Sequence, residues 1–165
     1  MPKINKTRRQ NPVKGDVDKE KYDGKLINFP HKVELPQVPK RENKSILVVD
    51  DEPHMVKLLR LNLEPEGYHV LEAANGESAY RLTLETKPDI VLLDVAIPEK
   101  NGIEVCKAIK GNPELSHIPV ILITARGEGA RKASMECGAD LFMTKPFSPL
   151  RLLAEIRRIA NKAVS

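Results

Sequence analysis

From Ser45 onward, short apolar runs alternate with stretches of helical periodicity, and the alternation repeats five times. Ile46-Leu-Val-Val-Asp50 is apolar up to its last residue, as a strand covered on both faces requires. Residues 53–64 follow, with Met55, Val56, Leu59 and Leu63 at helical spacing. Asp51 or Glu52 with Pro53 opens that helix, and Pro65 with Gly67 closes it. His69-Val-Leu-Glu72 reads as a second strand, and Asn75-Gly76 turns the chain into a helix over 77–86 that ends before Pro88. Asp89-Ile-Val-Leu-Leu-Asp94 is a third apolar strand, and Gly102 precedes a helix over about 103–110. Ile118-Pro-Val-Ile-Leu-Ile-Thr124 is the fourth strand, with a helix over about 128–137 behind it. Gly138-Ala-Asp140 turns into Leu141-Phe-Met-Thr144, the fifth strand, and residues 148–161 make a last amphipathic helix on Leu152, Leu153, Ile156 and Ile159.

Strands alternating with helices on short connections predict βαβ units and a five-stranded parallel sheet. Right-handed crossovers then cover both faces with helices, giving a doubly wound α/β fold. In such a sheet, functional residues collect at the carboxyl ends of the strands, where the strand order reverses.

The 165 residues suit one domain of ordinary size with room for a short extra segment. Hydrophobic residues make up 41% and charged residues 30%, a globular balance with enough apolar side chains for a core. Aromatics are only 4% with no Trp, so that core is built from Leu, Ile, Val and Ala. No run of 18 apolar residues is present to span a membrane as a helix. The basic residues after Met1 lead into no apolar stretch, so no secretory signal is visible and a cytoplasmic location is expected. Cys106 and Cys137 stand far apart in segments that read as helices, without a CxxC pattern, and read as free thiols in a reducing compartment.

Charge divides the chain. Residues 1–44 hold 12 of the 27 basic and 6 of the 23 acidic residues, a net of +6, which leaves −2 for the rest. The same segment contains Pro2, Pro12, Pro30, Pro36 and Pro39 and no sustained apolar period, the composition of a flexible arm. Within it, Tyr22 to Pro36 carries the arm's aromatics and leaves room for a short strand or docking peptide. Its mixed charges and lack of a compact basic stretch favour a solvated tether over direct nucleic-acid binding. The expected organisation is therefore an arm over 1–44 and a domain over 45–165.

The strand ends carry the chemistry. The first strand ends at Asp50-Asp51, the third at Asp94, the fourth at Thr124, and the fifth runs through Thr144 to Lys145-Pro146. Singly each has a plainer use: Asp51 as a helix cap, Thr124 as a strand residue, Lys145 as a solvated charge. Together they place three carboxylates, a hydroxyl and one ammonium on one edge. Two like charges ~4 Å apart repel by about 4 kcal/mol at an effective dielectric near 20, and a single lysine offsets only part of that. Hard oxygen ligands with open positions suit Mg²⁺, with Mn²⁺ as a substitute, and leave space for a phosphoryl group. Asp94 is then the nucleophile. Mg²⁺ is expected on Asp51, Asp94 and a main-chain carbonyl, with Asp50 acting through water. Lys145 and the Thr124 hydroxyl would each take a phosphoryl oxygen. No residue in the set is a general base for water, so the group is expected to be held rather than rapidly hydrolysed.

At these residues the chain closely resembles the receiver domain of two-component response regulators. The resemblance covers about 120 of the 165 residues. It rests on Asp50-Asp51, the acceptor within Leu92-Leu-Asp94-Val-Ala-Ile-Pro98 followed by Gly102, the pair Thr124-Ala125, and Lys145-Pro146-Phe147. It implies a flavodoxin-like sheet and phosphoryl transfer to Asp94 from a sensor histidine kinase or phosphotransfer protein. The carbonyl of Ala96 is implied as a further metal ligand, and Lys145–Pro146 is similar to a bond the family holds in cis. Phe142 matches the family's switch aromatic, and output is implied through the face of the fourth helix, fifth strand and last helix. Ala96 and Arg126 depart from the commonest residues beside the pocket, which leaves the phosphoryl lifetime open. The stretch from Thr124 to Lys145 is slightly short, so the fourth helix is expected to begin late or to be mobile.

With no effector pattern after the last helix and 44 residues before the first strand, a stand-alone receiver is expected, although a piece of a longer regulator fits as well. Two rivals remain. An aspartyl-nucleophile phosphatase needs a second Asp two residues after the nucleophile, where Ala96 stands. A phosphorylation-independent interaction module with the same fold has no use for the full acidic set.

Overall fold

The computed structural model describes residues 44–125 and 128–162, with the side chains of Glu128 and Ala130 excepted. The expected arm over 1–44, apart from Lys44, and the expectations for Arg126 and Gly127 lie outside the described residues. Among the described residues, five strands alternate with five α-helices in chain order: β1 (Ser45–Val49), α1 (Pro53–Leu63), β2 (His69–Ala73), α2 (Gly76–Thr86), β3 (Ile90–Asp94), α3 (Gly102–Gly111), β4 (Val120–Thr124), α4 (Glu128–Glu136), β5 (Leu141–Thr144) and α5 (Pro149–Lys162). The sheet is parallel throughout, in the order β2-β1-β3-β4-β5.

The uninterrupted apolar runs are explained by the two-residue alternation of a strand between two covered faces. Ile46 and Val48, Ile90 and Leu92, and Ile121 and Ile123 point to one face, where α1 supplies Val56, Leu59 and Leu63 and α5 supplies Leu152, Leu153, Ile156 and Ile159. Leu47 and Val49, Val91 and Leu93, and Val120 and Leu122 point to the other, against Ala79 of α2 and Val105, Cys106 and Ile109 of α3. Each fully buried Leu or Ile contributes about 1.5–3 kcal/mol relative to exposure. A slip of one residue would exchange the faces of a whole strand, so the register is fixed: Ile46 lies beside Ile90, Val91 beside Val120 and Thr124 beside Thr144.

Helix ends follow from local chemistry, with one departure from expectation. Pro53 occupies the first turn of α1 after Glu52, whose side chain makes no capping bond. Asp51 is therefore not spent on a cap. Asn75 caps α2 by accepting from the Ser78 N–H at 2.8 Å, and Asn101 and Glu104 form a reciprocal capping box on α3. Glu64–Glu66 tighten into a 3-10 turn that ends on Gly67 at φ 89°. Strand β4 starts at Val120 rather than 118, since Pro119 has no N–H for the ladder and gives only its carbonyl, to the Val91 N–H at 2.9 Å. Helix α4 covers Glu128–Glu136, where the helical pattern placed it.

Candidate functional site

The chain leaves β1 toward β2 on one side and, through β2 and α2, returns to β3 on the other. The crevice of an open α/β sheet forms where that reversal occurs. Asp50 follows β1 directly, Asp94 is the last residue of β3, Thr124 the last of β4, and Lys145 follows β5. All the strand-end residues singled out by the pattern therefore meet at one edge.

Ligand oxygens of Asp50, Asp51 and Asp94 lie within 4.8 Å of one another. Asp50 and Asp94 are buried and Asp51 is exposed. Lys145, with only 13% of its side chain exposed, bridges the two buried carboxylates: its Nζ donates to Asp94 Oδ2 at 2.6 Å and to Asp50 Oδ2 at 2.9 Å. The remaining oxygens take main-chain donors, Asp94 Oδ1 from the Ala96 N–H at 2.8 Å and Asp50 Oδ1 from the Glu52 N–H at 2.9 Å. A carboxylate has about four acceptor sites, so both keep capacity for a further partner. Among the described residues Asp51 has no hydrogen bond or ion pair of its own.

Burial pushes the Asp50 carboxyl above its ordinary pKa, against the lowering by Lys145 and the Glu52 amide. Burial alone would lower Lys145, but its hydrogen bonds to Asp94 and Asp50 and their charges outweigh that and hold the ammonium above the usual lysine value. Lys145 thus stays charged and serves as the internal cation of the cluster. The count remains three carboxylates to one ammonium, a donor set of hard oxygens that fits a divalent cation such as Mg²⁺. The Lys145–Pro146 peptide is cis, and the Lys145 N–H donates to the Thr124 carbonyl at 2.8 Å, which ties the lysine to the end of β4. Thr124 is fully buried, Ala96 is exposed, and Phe142 is partly buried against the α2/α3 side of the core.

Three features escaped the sequence pattern. Glu52, read there only as a helix opener, brings Oε1 to 3.7 Å from Lys145 Nζ. Cys106 and Cys137, far apart along the chain, meet in the core: Cys106 Sγ is 3.6 Å from the Cys137 carbonyl, and burial first, then Cys137, raises the Cys106 thiol pKa. Both are free and buried, so they behave as small apolar side chains. Away from the cluster, Met135, Phe142, Phe147, Arg131 and Arg151 line a groove of about 620 Å³ on β5 between α4 and α5; Asp50, Asp51 and Asp94 do not line it.

A doubly wound sheet in this strand order, with carboxylates and a lysine at its carboxyl edge, defines the CheY-like receiver fold. Solved structures agree: the chain superposes on the signal receiver domain of a signal transduction histidine kinase from Syntrophus aciditrophicus with a TM-score of 0.69, at 38% identity over 72% of this chain and 91% of that one. The BeF3-activated N-terminal receiver domain of Klebsiella pneumoniae RstA gives a TM-score of 0.66 at 29% identity, over 71% and 98% of the two chains. In sequence, the chain is 43% identical over 122 residues to the alkaline phosphatase synthesis transcriptional regulatory protein PhoP of Bacillus subtilis, 73% of this chain and 50% of that protein. It is 44% identical over 117 residues to the response regulator PleD of Caulobacter vibrioides, 70% of this chain and 26% of that one. The response regulator receiver domain family matches residues 46–157, and the chain belongs to that family. It spans about half or less of the length of these curated relatives. Among the described residues no helix is long and apolar enough to cross a membrane.

Proposed function

We propose that the domain is a phospho-accepting switch in which Asp94 takes a phosphoryl group from a sensor histidine kinase or phosphotransfer protein in the cytoplasm. The observation that carries this reading is the Asp50–Asp51–Asp94 cluster bridged by Lys145, an arrangement that costs stability and has no structural use. Asp50, Asp51, Asp94 and the Ala96 carbonyl would hold Mg²⁺ or Mn²⁺. Bound there, the ion supplies screening of the charge on the transferring oxygens.

An oxygen of Asp94 attacks phosphorus, the new O–P bond forms as the donor's P–N bond breaks, and the donor imidazole leaves. Lys145 transfers its hydrogen bonds to a phosphoryl oxygen, and the Thr124 hydroxyl turns to another. The phosphoryl group brings roughly −1.5 to −2 charges to an edge that is already acidic. Redistribution of Lys145 and Thr124 then biases the face of α4, β5 and α5, with Phe142 at its centre, and a downstream protein reads the change. Moving such an equilibrium from 1:99 to 99:1 takes about 5.5 kcal/mol of preference, within reach of a few charge-assisted hydrogen bonds.

Intact-mass spectrometry after incubation with acetyl phosphate and Mg²⁺ tests this directly. A gain of one phosphoryl group that requires the metal and is lost in Asp94→Asn is expected. No gain with any small donor or divalent metal would overturn the assignment.

A further inference from the structure

The segment between Asp94 and α3 carries the Ala96 N–H that bonds Asp94 Oδ1, and it is gripped from two sides. On the inner side, the Gly102 N–H donates to the Val95 carbonyl at 3.0 Å, and a Cβ on Gly102 would meet Val95 Cα at 2.9 Å and collide with the Asp94 carbonyl. On the outer side stands the first turn of α2, an element with no residue in the cluster. Its Gly76 N–H donates to the Pro98 carbonyl at 3.2 Å. A Cβ on Gly76 would lie 2.7 Å from Lys100 Cβ and collide with the Lys100 carbonyl oxygen. Beside it, Glu77 Oε2 holds Lys100 Nζ at 3.0 Å. Between these holds Glu99 adopts φ 68°, a left-handed conformation that a non-glycine residue keeps only where its surroundings fix it.

We propose that Gly76 is a positioning residue of the phospho-acceptor site: by letting the start of α2 close on residues 98–100, it fixes the loop that orients Asp94 and Ala96. This inference rests on the proposed phospho-acceptor reading. The physical reason is direct. The Lys100 carbonyl is backbone and cannot rotate away as a side chain does, so any side chain at position 76 must push the loop or the helix outward. Gly76 is buried, which leaves no solvent-side escape. A displacement of even part of an ångström at the loop is transmitted to Ala96, two residues before Pro98, and from there through one hydrogen bond to Asp94. Site geometry is costly to disturb at that scale.

Gly76→Ala is compared with Gly111→Ala, a helical glycine at which a Cβ meets nothing within 4 Å. In the metal-free protein, exchange of the Ala96 amide hydrogen should quicken by roughly tenfold in Gly76→Ala and stay within twofold in Gly111→Ala. The half-saturating Mg²⁺ concentration for phosphorylation by acetyl phosphate should rise by at least about fivefold in Gly76→Ala only. A second variant, Glu77→Lys, sets two ammonium groups against each other without any buried clash and so folds regardless. It should raise the same half-saturation by about threefold at low salt, and 0.5 M KCl should abolish the effect. If both variants leave Ala96 exchange and the Mg²⁺ requirement at the level of the unsubstituted chain, the inference fails, even where Gly76→Ala melts at a lower temperature. If the unsubstituted chain takes no phosphoryl group, the phospho-acceptor reading fails instead, and Ala96 exchange still reports on the clamp.

Discussion

Asp51→Asn isolates the electrostatic cost of the cluster, because Asp51 is the one member without a bond of its own among the described residues. At the 4.8 Å outer limit of the cluster, each pair of carboxylates repels by about 3.5 kcal/mol at an effective dielectric of 20 and by about 0.9 kcal/mol in bulk water. Asp51 is exposed, so the lower figure weighs more heavily, and Lys145 cancels part of the remainder. Summed over Asp50 and Asp94, the relief on neutralising Asp51 comes to about 1–2 kcal/mol. For a domain of this size that raises the metal-free melting temperature by roughly 4–8 °C. Mg²⁺ narrows the difference. At ten times its dissociation constant a ligand of the folded state adds about 1.4 kcal/mol, and the variant, short of one ligand, should gain little of it. Calorimetric melts of both proteins with EDTA and across a Mg²⁺ series measure the two effects together. A variant no more stable than the unsubstituted chain in EDTA would refute the repulsion argument. Equal Mg²⁺ stabilisation of both would refute the cation site at Asp51.

Lys145→Met leaves the buried charges of Asp50 and Asp94 uncompensated, and loss of one partner from a buried pair costs about 3–5 kcal/mol; melts in EDTA should show the drop, with partial recovery in Mg²⁺. Asp50→Asn acts in the opposite sense. The Asp50 pKa is raised in the fold, so ionising it removes stability as pH climbs from the unfolded value of 3.8 through the folded one. Metal-free Asp50→Asn should therefore gain on the unsubstituted chain as pH rises over that window, a trend that denaturant melts from pH 3.5 to 7 follow. Thr124→Ala should still accept the phosphoryl group by intact mass, while phosphorylation-induced amide shifts across α4 and β5 fall by half or more; unchanged shifts would remove Thr124 from the relay. Leu92→Ala, at a site 1% exposed between α1, α5 and the sheet, should cost about 2–5 kcal/mol in urea denaturation without altering the Mg²⁺ requirement.

What the sequence disclosed and what it hid follow from the range of the interactions involved. The sheet faces were legible because strand periodicity is local: Ile46 and Leu47 must part company whatever lies above them. The cluster was legible because a parallel sheet brings every strand's carboxyl end to one edge, so Asp50, Asp94, Thr124 and Lys145 meet without knowledge of the loops. Features that depend on two distant segments were silent. Cys106 and Cys137 meet because α3 and the end of α4 pack on one face, a fact absent from either helix's own pattern. Gly76 could be read as half of an Asn-Gly turn, but its reason lies with Lys100, on the loop after another strand. Likewise, nothing near Glu52 announces Lys145.

The cluster also bears on how a local event at Asp94 could reach a distant face. The Lys145 ammonium donates twice, to Asp94 and to Asp50, and its main-chain N–H donates to the Thr124 carbonyl. Strand ends β4 and β5 are therefore joined to β1 and β3 through one residue. On the proposed reading, a phosphoryl group on Asp94 would compete for the ammonium, and whatever Lys145 gave up at Asp50 would loosen the tie between the acidic edge and the β5 strand. That strand carries Phe142 and floors the groove between α4 and α5, where Met135 is 73% exposed. On the proposed reading, the repulsion that makes the cluster a liability without a cation is what makes Lys145 responsive. A lysine with one carboxylate partner would be anchored, whereas one shared among carboxylates can be redistributed by a single added charge. Stability at this edge and the capacity to switch are then opposed, and substitutions that calm the cluster should quiet the output face as well.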